Sequence, residues 1–185
     1  SSTTSGGSTT NNDSPNDSTA NHFAKILKLC ERLSRQIRSK GHGLGNGPSG
    51  PINGSLTVKS LHEIFLLMLE KMNMNAHSVF VDLGAGVGKV VFQAAVFGVN
   101  TVVGMECEMY RFWTSLFHQM HLCRDLAKFN LVGRKCKMLF LHADFMNSMF
   151  KDLDGATHLF FFQCGMPPRV LAKVKSVVMK SKGPM

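Results

Sequence analysis

One stretch constrains the fold more than any other. At Val79–Lys89 (VFVDLGAGVGK) a short apolar run of strand-forming residues stops at Asp82, glycines follow at positions 84, 86 and 88, and a helix-forming segment resumes directly after them. A strand that turns into a helix through closely spaced glycines belongs to an open, mainly parallel α/β sheet, where ligands sit outside the carboxyl ends of the strands. Glycine lets the backbone turn sharply and approach a ligand closely. The N-terminus of the following helix offers unpaired N–H groups and positive dipole to an anionic group. A purely structural turn is the competing reading of a glycine triplet alone.

The surrounding pattern agrees with that frame. Helical periodicity predicts helices over Val58–Met72, Val87–Phe97, Met109 to about Lys128 and Pro168–Lys180, with a short helical turn near Met146–Lys151. Apolar, β-branched runs predict strands over Ser78–Asp82, Thr101–Glu106, Lys137–Leu141 and Thr157–Gln163. Such alternation implies a parallel sheet covered on both faces. Phe112, Trp113, Leu116, Phe117 and Met120 recur at helical spacing and are expected in the core.

Ahead of this domain the chain changes character. Residues 1–21 are Ser, Thr, Asn and Gly with almost no apolar side chains, so burial cannot offset the entropy of ordering them, and a disordered tail is expected. Residues 22–41 form a basic amphipathic segment: Ile26, Leu29, Leu33 and Ile37 make one stripe, while Lys25, Lys28, Arg32, Arg35, Arg38 and Lys40 stand against Glu31 alone. These six cations supply much of the formal charge of +9 and suit contact with a polyanion such as nucleic acid; a helix that packs one face and solvates the other is the plainer reading of the pattern, and the two are compatible. Residues 42–54 read as a Gly/Pro linker or lid; they lack the Lys-Ser/Thr ending of a phosphate loop. Residues 55–185 form the ligand-binding domain.

Other classes find little support. No apolar run reaches the ~18–20 residues of a membrane span, and no secretory signal is visible. The five cysteines are scattered and odd in number, which fits reduced thiols. His118, His121, Cys123 and His142 lack the shared geometry of a metal site, and no metal is expected. The chain begins without an initiator Met and so reads as a fragment.

Three acidic positions at successive strand ends narrow the ligand. A dinucleotide fingerprint starting at Gly84 needs a third glycine at position 89, where Lys89 stands. The spacing is instead D-x-G-x-G-x-G, and Asp82 suits an ammonium group near the turn, as on the amino-acid end of methionine. Glu106, 24 positions after Asp82, is placed to accept from ribose hydroxyls. Asp144 and Phe145, after the third strand, suit the amino group and ring of adenine; a helix cap and a core Phe are the alternative reading. Together these residues point to S-adenosylmethionine, with Asp82, Gly84, Gly86, Gly88, Glu106, Asp144 and Phe145 around it.

The residues at this point resemble a known family. VFVDLGAGVGKVVFQ, with GSLTVKSLHEIFLLMLEKM ahead of it, VVGMECE at the second strand, HADF after the third and FFFQCGMPPRV around the fourth, is similar to the disruptor-of-telomeric-silencing methyltransferases, non-SET enzymes that methylate a lysine on the nucleosomal histone core. The resemblance runs from about Asn53 to the end of the chain. It implies a Rossmann-like class I methyltransferase sheet, here C-terminally truncated where a fifth strand is expected, preceded by the disordered tail and basic helix. It also implies a histone or nucleosome substrate and a nuclear protein. Asp82, Gly84 and Gly86 would then surround the methionine part, Glu106 the ribose, and Asp144 and Phe145 the adenine. The family's Tyr-Gly-Glu element is replaced by Asn53-Gly54-Ser55, and its asparagine-rich turn by Gln163-Cys164-Gly165. Gln163 is the candidate for the catalytic channel. Methylation of RNA or of another protein, and a non-catalytic chromatin-tethering module, are the alternative functions. With Phe160–Phe162 on an uncovered edge, the isolated chain is expected to be poorly soluble or partly folded.

Overall fold

The computed structural model describes residues 28, 32, 35, 56–128, 136–147, 153–163 and 166–181. The tail of residues 1–21, the linker of residues 42–54 and most of the basic segment of residues 22–41 lie outside the described residues. Of the six cations only Lys28, Arg32 and Arg35 are described; each is helical, with Lys28 and Arg35 exposed.

The elements run α1 (Val58–Lys71), β1 (Val79–Leu83), α2 (Lys89–Val96), β2 (Thr101–Glu106), α3 (Met109–Lys128), β3 (Lys137–His142), β4 (His158–Phe161) and α4 (Pro168–Lys180). Local chemistry sets several ends. The Thr57 side chain caps α1 by accepting from the Ser60 N–H at 3.0 Å. Pro168 opens α4, where its fixed φ suits the helix and its missing N–H is not needed. α2 starts at Lys89 rather than at the expected Val87, because Gly88 is its N-cap in the left-handed region at φ 88°.

The four strands form one parallel sheet in the order β3-β2-β1-β4. The chain moves outward from β1 to β2 to β3, then returns to β4 on the other side of β1. The order therefore reverses next to β1, and the glycine loop leaves β1 at that switch point. Opposed residues share a face: Phe80, Val102 and Met138 lie on one side, as do Asp82, Gly104, Phe140 and Phe160. This face packs on Leu61, Phe65, Val91 and Phe92 from α1 and α2. The opposite face places Val81, Leu83 and Met105 against Val170 and Val174 of α4. Burial on both faces explains why β1 reads as an almost unbroken apolar run.

Helix α3 corrects the sequence reading. Phe112 and Leu116 do pack against the core, but Trp113 is 61% exposed, Phe117 42% and Met120 72%. The inward stripe is Thr114, Ser115 and His118. Their polar groups are accommodated locally: Ser115 Oγ donates to the Phe112 carbonyl at 2.7 Å and Thr114 Oγ donates to the Tyr110 carbonyl at 2.8 Å. The His118 ring meets Phe92 edge-on. Beside a sheet edge only one stripe of a helix finds neighbours, and small polar side chains fit that narrow space.

Two further boundaries differ. β4 is shorter than Thr157–Gln163; Thr157 belongs to the turn before it, where its hydroxyl accepts from the Val79 N–H at 2.9 Å. Residues 144–147 form a turn, and residues 148–151 of the expected helical turn lie outside the described residues. Within the described sheet β4 is an edge strand, as expected, with Phe160 and Phe161 half-buried against the two cores. No described helix is long and apolar enough to cross a membrane, and no group of three or more His, Cys, Asp or Glu among the described residues could hold a metal ion.

Candidate functional site

The site begins where β1 ends. The Asp82 side chain lies on the α2 face of the sheet, between Gly104 and Phe160 in register, and is 2% exposed. Among the described residues its Oδ2 has no hydrogen-bond partner. Burial, and then the neighbouring carboxylate of Glu106, push its carboxyl up to about 8. A buried acid with an unmatched oxygen is costly unless a donor or cation satisfies it.

Beyond Leu83 the loop is anchored on β2. The Gly84 and Ala85 N–H groups both donate to the Met105 carbonyl at 2.9 Å, and the Gly86 N–H donates to Glu106 Oε2 at 2.7 Å. Gly84 and Gly86 have φ of 82° and 56°, values that side-chain-bearing residues rarely adopt. Glu106, 4% exposed, also accepts from the Glu108 N–H through Oε1 at 2.9 Å. Oε1 also accepts from the Cys107 thiol at 3.8 Å, whereas Oε2 has the Gly86 N–H and keeps capacity for a second donor, such as a hydroxyl.

Gly88 has a second reason to be glycine besides its φ of 88°. A Cβ there would lie 2.6 Å from Phe140 Cζ and 2.8 Å from Phe92 Cε2. Its position closes the packing behind the loop. Gly104, which sequence reasoning passed over, acts alike: a Cβ would meet Val91, Ala85 and Phe140 within 3 Å. A glycine interrupting the β-branched run of β2 was the signal.

The third strand supplies the other half. The Ala143 N–H donates to the Glu106 carbonyl at 3.0 Å, and His142 Nε2 lies 3.0 Å from the Cys107 carbonyl. Asp144 is exposed and caps its own turn, accepting from the Met146 N–H at 2.8 Å through Oδ1. Phe145 is buried in the α4-side core, edge-on to Phe161. Between the halves stands Cys107, its thiol pushed up by burial and then by the charges of Glu106 and Asp144.

Two more segments converge on the loop. Lys89, the first residue of α2, donates from its ammonium to the Leu56 carbonyl, tying the chain ahead of α1 to the loop helix. After β4 the Gln163 carbonyl accepts from the Met166 N–H at 3.0 Å, and Met166 Cε would lie 3.9 Å from a Cβ on Gly84. Gln163 is exposed at the carboxyl end of the sheet. The structure therefore gathers Asp82, Gly84, Gly86 and Glu106 directly, adds Asp144 through the β2–β3 ties, and leaves Phe145 in the core and Gly88 behind the loop. Met166 and the Lys89–Leu56 link were not anticipated; the Gly-Met-Pro-Pro turn after β4 was the only sign of the former.

Solved structures share this architecture. The crystal structure of Thermoplasma acidophilum 1320 is 12% identical with a TM-score of 0.51, over 84% of this chain and 65% of that one. An RNA methyltransferase from Salinibacter ruber, crystallised with S-adenosyl-L-homocysteine, is 18% identical with a TM-score of 0.51, over 70% of this chain and 72% of that one. At such identities the likeness speaks for the fold, that of Rossmann-like class I methyltransferases. No curated protein matches the chain in sequence. The family described as histone methylation protein DOT1, however, matches residues 53–183, a span that contains the glycine loop, all three acidic strand ends and both tied segments. By that match the chain belongs to the DOT1 histone methylation family.

Proposed function

We propose that this chain is an S-adenosylmethionine-dependent methyltransferase whose substrate is a lysine side chain of a histone within the nucleosome. The observation that carries the cofactor reading is the buried Asp82 oxygen without a partner among the described residues, set beneath a glycine loop whose Gly84, Ala85 and Gly86 N–H groups are already held by Met105 and Glu106. An ammonium group satisfies that oxygen, and a ribose fits the remaining lone pairs of Glu106. Asp144 is left with Oδ2 for an adenine amino group. Gly84 and Gly86 let the backbone approach the methionine part.

When bound, the cofactor supplies an electrophilic methyl group on a sulfonium. The chain's residues would position it: Glu106 and Asp144 would hold the nucleoside end, and Asp82 with the glycine loop the amino-acid end. Gln163, whose carbonyl holds Met166 near Gly84, is the residue assigned to stand beside the incoming lysine. That lysine must arrive neutral, so desolvation and proton loss to water precede transfer. The family match favours a histone, and the six cations of residues 22–41 favour a substrate embedded in DNA.

Transfer of a radiolabelled methyl group to nucleosomes, free histones and RNA tests the proposal. Label on histone only within nucleosomes is the expected result. Label on RNA alone, or cofactor binding with no transfer to any acceptor, overturns the substrate reading.

A further inference from the structure

Asp82 and Glu106 stand on the same face of the sheet, one pleat apart along neighbouring strands, and both are buried. They differ in support. Glu106 accepts two backbone N–H groups, one on each oxygen, whereas no described residue donates to Asp82 Oδ2. Backbone donors favour the ionised form of a carboxylate; burial without donors favours the neutral form. Burial, with the Glu106 carboxylate beside it, therefore holds Asp82 towards its protonated form.

The charged and titratable groups around Asp82 support this assignment. β2 contributes only Glu106 on this face near it, which repels a second charge. β4 contributes Phe160 in register, and His158 one pleat below is turned to the Met72 carbonyl at 3.0 Å. α2 contributes Lys89, whose ammonium reaches the Leu56 carbonyl. α3 contributes His118, packed edge-on against Phe92.

Resting on the cofactor reading above, we propose that Asp82 makes cofactor uptake proton-linked: the pocket accepts the ammonium of the amino-acid end only as Asp82 releases its proton to solvent. The step balances as one carboxylic acid and one ammonium giving a carboxylate–ammonium pair and one free proton. Below neutral pH the ligand must displace a held proton, and affinity falls. As pH rises the proton is already leaving, and affinity climbs until the ligand's own ammonium begins to titrate. In a nucleus at near-neutral pH, a small change in proton activity would then change cofactor occupancy without any change in cofactor concentration.

Calorimetry on the full chain tests this with two probes. S-adenosylhomocysteine carries the amino-acid end; methylthioadenosine has the nucleoside and sulfur without it. S-adenosylhomocysteine is expected to gain at least about tenfold in affinity between pH 6 and pH 7.5, and to release close to one proton at pH 6.5, read from titrations in buffers of different ionisation heat. Methylthioadenosine should show a flat profile. In Asp82→Asn the pH slope and the released proton should both vanish. A slope shared by both probes, or one that persists in Asp82→Asn, overturns the proposal by placing the titration elsewhere. Tight binding of S-adenosylhomocysteine with a flat profile overturns the linkage alone. Failure of both probes to bind at any pH overturns the cofactor reading and the linkage with it.

Discussion

The two halves of the candidate nucleoside site are built on different terms. On the β1–β2 side, Asp82 and Glu106 are buried, and the backbone of the glycine loop hangs from Met105 and Glu106. On the β3 side, Asp144 already caps a turn and Phe145 already fills the core. Under the proposed reading the first half serves recognition at a cost in stability at Asp82; the second half is a structural element with one carboxylate oxygen to spare. Mutations in the two halves should therefore separate folding from binding.

The largest expected effect is on folding and falls in the β3 half. Phe145→Ala removes a buried aromatic from the α4-side core and should cost about 3–5 kcal/mol of stability, measured by denaturant unfolding. A stable Phe145→Ala protein that loses only cofactor affinity would reverse the comparison. Next comes Asp82→Asn in the other half. Because the folded-state value of about 8 lies above the ordinary 3.8, the folded chain holds a proton that the unfolded chain releases. Stability is accordingly lost as pH rises from about 4 towards 8. Asp82→Asn should remove that decline, so that at pH 8 it is more stable than the parent by a few kcal/mol and the gain shrinks towards pH 5. Thermal unfolding at both values reads it; an equal effect at each pH breaks the argument.

A smaller change follows at Glu106. Glu106→Ala leaves the Gly86 and Glu108 N–H groups without their acceptor and should weaken S-adenosylhomocysteine by about 2–3 kcal/mol, roughly 30- to 150-fold. The smallest belongs to Asp144→Ala, where loss of the turn cap should cost about 1 kcal/mol of stability with an affinity loss below that of Glu106→Ala. The opposite ranking would make the β3 half the main binding element.

Much of this was legible in the residues. Alternation of strand and helix segments predicted every described element, and the acidic residues do fall at or just after the carboxyl ends of successive strands. Two kinds of fact were not legible. Hydrophobic spacing put Trp113, Phe117 and Met120 of α3 inside because periodicity reveals that a helix has a face but not which face has neighbours; Ser115 and His118 occupy the contact instead. Residue type likewise pointed to Asp144, Phe145 and Gly88 without revealing that each answers first to a local need. A cap, a core ring and a close approach to Phe140 are three-dimensional facts that one-dimensional spacing carries only as a coincidence of residue choice.

The orientation of α3 has a spectroscopic consequence. Trp113 is the only tryptophan in the chain, and it stands largely in water on the outer surface of that helix. Its emission in the folded protein should already resemble that of an unfolded chain, so fluorescence alone would barely register denaturation. The same ring would respond to any molecule that settles on α3, through a blue shift or quenching. The chain thus carries its own optical probe on its outer helix, one that reports contact rather than folding.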